Sequence, residues 1–153
     1  MCLGAAVQQE CPPQGQPEGF QGELARFLRG HLGRGPGLLW PEHEDGDPAD
    51  WDHPWADRLA AGLTRLLGRP VHHVPGDPAR YVTAGPDAQY DLLVLQTTGG
   101  SGWHLFPPDG PDAPPRTLRL RGGEALYLPA GCPAAVRQRA TARHLRFVIG
   151  APG

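Results

Sequence analysis

Apolar residues fall into two regimes along this chain. Between residues 18 and 67 they recur at intervals of three and four; from Val71 onward they alternate. In the first regime Phe20, Leu24, Phe27, Leu28 and Leu32 lie near one face, predicting a helix over 18–32 that ends at the Gly33–Gly37 run. Leu59, Leu63, Leu66 and Leu67 line a second predicted helix, Trp55 to Leu67, with Arg58 and Arg65 on its wet side; Gly68 and Pro70 stop it. In the second regime the period of two predicts strands at Val71–Val74, Arg80–Ala84, Tyr90–Gln96, Trp103–Phe106, Thr117–Leu120, Ala125–Leu128, Ala134–Arg139 and His144–Ile149. The stretch 90–103 reads as a hairpin: a buried strand, a glycine turn, and a second strand opening at Trp103. Residues 122–131 read as a turn, a short strand and a Pro-Ala-Gly turn. A regular strand puts Pro86, Ala88, Tyr90, Leu92, Val94 and Gln96 on one inward, packed wall.

Eight short strands behind two helices predict a mainly β fold, a double-sheet jelly roll with an N-terminal helical cover. Residues 1–17, rich in Gln, Pro and Gly, read as a loose lead-in. Residues 18–70 form the cover, including an acidic loop at 41–54, and residues 71–150 form the core. At 153 residues with 22 Gly and 19 Pro, the chain suits one turn-rich domain.

Charge narrows the chemistry. All 14 basic residues are Arg, which excludes lysine Schiff-base chemistry and a P-loop. Residues 1–76 carry six Arg against ten acids and residues 77–153 eight against six, too mild an excess for nonspecific nucleic-acid binding. Cys2, Cys11 and Cys132 lack metal-ligand spacing, so reduced thiols and a cytoplasmic setting are expected. The first residues lack the basic region of a signal peptide, and no apolar run reaches the roughly 18 residues of a membrane span.

The acidic loop lacks the glycine and bidentate Glu of an EF-hand, so it reads as solvated, with His43 and His53 in it. Adjacent strand residues His72 and His73 face opposite sides; one could join His104 or His144 in a metal site, though surface histidines are the plainer reading. Gly99-Gly100-Ser101-Gly102-Trp103 fails as a nucleophile elbow, since Trp103 stands where the last glycine belongs and a strand, not a helix, follows. Cys132 is a candidate nucleophile or a small buried thiol. Trp51, Trp55 and Trp103 read as packing residues.

One stretch runs Asp-Leu-Leu-Val-Leu-Gln, a turn, then Gly-Ser-Gly-Trp-His-Leu. Together with Gly-Glu-Ala-Leu-Tyr-Leu-Pro-Ala-Gly it resembles the Jumonji-C-like cupins, with the ribosomal-protein hydroxylases nearest, over roughly residues 55–150. The resemblance implies a double-stranded β-helix and an Fe(II)/2-oxoglutarate oxygenase ancestry, with iron held by two His and a carboxylate. It assigns the first His and the carboxylate to Pro86 and Ala88, the distal His to Ala134, and the cosubstrate's basic clamp to Ser101. None of these can serve, and a register shift offers only Asp87. The C-terminal dimerisation extension of the hydroxylases has no counterpart before Gly153, so the chain reads as a truncated, metal-free cupin.

The expectation is therefore a non-catalytic peptide-binding protein without a cofactor. Small oxygenase-like proteins of this kind occur in pathways that modify ribosomally made precursor peptides, including those making crocagin-type alkaloids. In that role the chain would recruit or present an acidic precursor peptide to a partner enzyme. Candidate contacts are Tyr90, Gln96, Trp103, Arg119, Arg121, Arg137 and Arg146, with Arg139 beside them. No nucleic-acid or membrane partner is expected, and the number of copies is left open. Two alternatives stand beside this reading. One is an active enzyme, either an iron hydroxylase with relocated ligands or a metal-independent cupin; the other is a structural subunit covering a larger partner.

Overall fold

The computed structural model describes residues 19–75, 90–106, 116–139 and 141–150. Helix α1 spans Phe20–His31 and α2 spans His53–Leu67. The strands are β1 (Gly37–Leu39), β2 (Val71–Val74), β3 (Asp91–Thr98), β4 (Gly100–Leu105), β5 (Arg116–Arg121), β6 (Ala125–Leu128), β7 (Ala134–Gln138) and β8 (Arg143–Ile149). They form two antiparallel sheets, a large one ordered β1-β6-β3-β8-β2 and a small one ordered β5-β4-β7. The mainly β, jelly-roll expectation holds. The predicted strand Arg80–Ala84, the lead-in and ligand positions Pro86 and Ala88 lie outside the described residues. Strand β1 is an addition; at three residues it is too short for alternation to reveal.

Helix α2 begins two residues earlier than its apolar pattern indicates. The Asp52 carboxylate accepts a hydrogen bond from the Trp55 N–H (2.9 Å) and caps it, with Pro54 in the first turn. Gly68 closes the other end in the left-handed region. The Thr64 hydroxyl then accepts from the Val71 N–H (2.9 Å), tying the helix to β2.

Strand β3 lies at the centre of the large sheet and is buried from Leu92 to Thr97, because it is covered on both sides. Leu93 and Leu95 face the helices, joining Leu24, Leu28, Leu63, Tyr127 and Phe147 in one core. Leu92 and Val94 face the small sheet, joining Trp103, Leu105, Leu120, Leu126 and Val136 in a second. The inward wall read from the even positions is therefore present at Leu92, Val94 and Gln96. Tyr90, before the strand, is instead 53% exposed.

The glycine stretch after β3 corrects the hairpin reading. β3 pairs with β6 and β8, whereas β4 pairs with β5 and β7, so the flanking strands are not partners. Gly99 is a corner that carries the chain from one sheet to the other. Its φ is +66°, and a Cβ there would lie 2.9 Å from that of Ala142, so a side chain meets both a strained backbone and a neighbour. A register shift between Gln96 and Thr98 helps turn the strand out.

The acidic loop is anchored more firmly than its composition suggests. Trp51 and Trp55 stack with ring centroids 4.2 Å apart. Both indole N–H groups donate to Asp45, one to its backbone carbonyl (2.9 Å) and one to its carboxylate (2.8 Å). Burial works to raise the Glu23 carboxyl, but the N–H groups of Glu42 and His43 and the His43 ring outweigh it and hold it below its ordinary value.

Candidate functional site

Two places carry the residues singled out by sequence: the space between the sheets, and the outer face of the small sheet.

Between the sheets a closed side-chain network runs along the inner face. The Ser101 hydroxyl donates to Gln96 Oε1 (2.7 Å), Gln96 Nε2 donates to the Thr98 carbonyl (2.9 Å), and Trp103 Nε1 donates to Ser101 Oγ (2.8 Å). Gln96 and Trp103 are fully buried and Ser101 nearly so. This removes Gln96 and Trp103 from the set of guest-contacting candidates: they are interior packing, with their polar atoms already partnered. His144, opposite Gln96 on β8, meets the Trp103 ring edge-on at 5.8 Å. Burial, with a smaller contribution from the Arg146 charge, pushes its pKa down to about 4. Ala134, the position assigned to a distal His, is a buried methyl in the same core. Burial raises the Cys132 thiol against the pull of Arg116, which fits a small packed thiol better than a nucleophile.

The arginines do not share one surface. The partner of Arg146 across β3 is Val94, so it lies on the large sheet's inner side, half-buried. Arg119, Arg121 and Arg137 belong to the small sheet and are exposed. Gly102 of β4 pairs with Arg119 on one side and Arg137 on the other, and Gly100 pairs with Arg121. Gly100, Gly102, Arg119, Arg137 and Arg139 border a groove of about 600 Å³ that reaches Thr141 and Ala142, with Arg121 outside its lining. Glycine at both central positions leaves the floor bare backbone.

The histidines are dispersed. His73 turns toward α2, with Nδ1 3.4 Å from Asp57 Oδ1 and its ring edge-on to His53. Burial lowers its pKa, against the pull of Asp57. A group that local patterning misses is Asp91. One carboxylate oxygen accepts from the Tyr127 hydroxyl (2.6 Å) and the other from the Ala130 N–H (2.8 Å), while the Tyr127 oxygen accepts from the Gly33 N–H (3.0 Å). Burial, then the Asp91 carboxylate, holds the Tyr127 phenol well above its ordinary value. Asp91 thus clamps β3, β6, the following turn and the end of α1 together. A second groove, also about 600 Å³, is bordered by the exposed Trp40 and by Glu44, Asp45, Asp47 and Glu124. Among the described residues, no helix is long and apolar enough to cross a membrane.

No family model and no curated protein matches the sequence. Among solved structures, the chain is similar to YcfD, a ribosomal oxygenase from Escherichia coli, with a TM-score of 0.50 and 17% identity over 85% of this chain and 51% of that one. A structure of YcfD in complex with cobalt and succinic acid aligns at a TM-score of 0.46 and 22% identity, over 80% of this chain and 34% of that one. HEPD from Streptomyces albus, with 2-hydroxyethylphosphonate and Fe(II) bound, aligns at 0.36 and 16%, over 65% and 33%. The chain spans about half the length of the first of these structures. At this identity the likeness shows the fold, a cupin-like β sandwich.

Proposed function

We propose that this chain is a non-catalytic peptide-binding protein on an oxygenase-like cupin scaffold, recruiting or presenting an acidic, ribosomally made precursor peptide to a separate enzyme. One observation carries the reading. Ser101, at the position assigned to the cosubstrate clamp, is locked between Gln96 and Trp103, and Trp103 fills the space between the sheets. The side chains at the assigned ligand positions do not fit an iron(II) ion: Ala134 offers a buried methyl, and Pro86 and Ala88 have no donor atom by composition. What the scaffold keeps is surface for an extended guest. Among the described residues β5 and β7 each have one neighbour, so both offer a free edge, and the arginines beside them suit acidic side chains.

The test has two arms. Purified protein is assayed for bound metal and for 2-oxoglutarate turnover, then titrated by calorimetry with precursor peptides encoded beside its gene. The reading predicts no metal-dependent turnover and saturable one-to-one binding of a peptide. Stoichiometric iron with turnover that depends on it would overturn the proposal in favour of an enzyme with relocated ligands. Folding only on co-purification with a larger protein, with no peptide bound, would instead favour a structural subunit.

A further inference from the structure

The small sheet is unusual in its charge. Its three strands read Gly-Ser-Gly-Trp-His-Leu, Arg-Thr-Leu-Arg-Leu-Arg and Ala-Ala-Val-Arg-Gln, without one acid. Alternation sends Ser101, Trp103, Leu120 and Val136 into the sandwich, which leaves Gly100, Gly102, Arg119, Arg121 and Arg137 on the outer face. Among the described residues the ion pairs are His43 with Glu23 and His73 with Asp57, so neither joins a carboxylate to Arg119 or Arg137, while the Glu124 carboxylate lies at Arg121, accepting from its backbone N–H (2.8 Å). Like charges gathered on one face raise the local potential and favour an anion there.

The register makes this patch a patterned site. Arg119, Gly102 and Arg137 form one row across the three strands. Strands lie about 4.8 Å apart, so the two arginines stand roughly 10 Å from each other with a bare glycine between them, wide enough for one carboxylate to meet both guanidiniums. Two residues along the strand Arg121 stands beside Gly100, and Arg139, just past the end of β7, borders the groove. Two residues of strand span about 6.7 Å, which is also the distance between alternate side chains of an extended peptide. A Cβ at Gly102 would meet nothing closer than the Arg137 carbonyl at 4.0 Å, so the floor is open.

We infer that the outer face of the small sheet is a cradle for an extended peptide bearing carboxylates at alternate residues, an acid-x-acid motif. The inference rests on the peptide-binding reading and names its recognition element. An acidic peptide fits better than a single-stranded nucleic acid, because the three strands turn no Phe, Tyr or Trp outward on which bases would stack, and the exposed Phe106 lies past the end of β4, four residues from Gly102. The exposed loop of a second copy carries one such pair, Glu42-x-Glu44, whereas Asp45, Asp47 and Asp52 are already held as hydrogen-bond acceptors within their own loop and helix cap.

The experiment measures fluorescence anisotropy of the full chain with labelled nonapeptides in a Thr/Gly background. Two Asp are placed at i and i+2, at i and i+1, or at i and i+3, and a further peptide carries Asn at i and i+2. The i, i+2 peptide should bind at least about fivefold tighter than either isomer, and the Asn peptide should not bind. Arg119→Ala and Arg137→Ala should each weaken it roughly tenfold, as expected for loss of a charge-assisted hydrogen bond. Gly102→Val, which keeps every charge but fills the floor, should weaken it similarly with the thermal midpoint unchanged. Equal affinity for the three spacings, or no effect of Gly102→Val, would overturn the cradle in favour of diffuse charge. Tighter binding of a short oligothymidylate would overturn it in favour of nucleic acid. Concentration-dependent self-association abolished by Arg119→Ala would assign the face to a second copy's acidic loop. If a precursor peptide binds the variants as it binds the wild type, the cradle fails and the peptide-binding reading survives; if no peptide binds at all, both fail.

Discussion

Replacing His144 tests the electrostatics of the closed interior. The imidazole is buried between Trp103 and the neighbourhood of Arg146, and its pKa is pushed down to about 4 from an ordinary value of 6.5. Between those values the unfolded chain binds a proton at this residue and the folded chain does not. Stability from this group is therefore complete above pH 6.5 and is lost as the pH falls toward 4, at up to about 1.4 kcal/mol per pH unit. Between pH 7 and pH 5 the loss comes to about 2 kcal/mol. With a urea dependence of about 2 kcal/mol per molar, the midpoint should fall by about 1 M. His144→Gln removes the titrating group and keeps a polar side chain. Urea unfolding of both proteins at pH 7, 6 and 5 separates this residue from the others, because His73 and the carboxylates titrate alike in both. The wild type should lose about 2 kcal/mol more than the variant over this range. Parallel stability curves would refute the reasoning, showing that the site accepts a proton as readily as water does.

Three further outcomes follow from the same contacts. Trp103→Ala should cost about 3–5 kcal/mol in urea unfolding, since it empties the centre of the sandwich and removes a donor from Ser101. Asp91→Ala should cost about 2 kcal/mol, because it leaves the Tyr127 hydroxyl and the Ala130 N–H without their shared acceptor. Gly99→Ala should lower the thermal midpoint through a left-handed penalty of about 1–2 kcal/mol, whereas alanine at Gly102, where φ is not positive and the space is open, should not.

The helices and most strands were legible because each buries one face, and burial on one face writes a period into the sequence. Legibility failed where burial was two-sided or partners were remote. β3 is apolar throughout because helices cover one side and the small sheet the other, so its pattern reveals a core strand but not its neighbours. The Gly-Gly after it is an ordinary hairpin signal locally; only the pairing of β3 with β8 and of β4 with β7 makes it a sheet-to-sheet corner. Asp91 is similar: its partners lie 36 and 39 residues away, at Tyr127 and Ala130, beyond any local pattern.

The same limit decides which residues can meet a guest. Alternation tells which side chains share a face of one strand, but it is silent on whether that face looks into the sandwich or out of it. Gln96, Trp103 and Arg146 are chemically suitable for binding a peptide, yet register turns all three toward the interior, where Gln96 and Trp103 complete each other's hydrogen bonding through Ser101. Arg119 and Arg137 have the same parity logic and the opposite outcome, because Gly102 between them has no side chain and their neighbours of opposite parity, Leu118, Leu120 and Val136, supply the core. A sheet that spends its apolar residues inward and places only Gly, Ala, Thr, His and Arg outward has no packing reason to gather arginines there. Alternation alone turns polar residues to the solvent side of such a sheet, so it is their common row across Gly102, not their exposure, that the peptide-spacing series puts to the test.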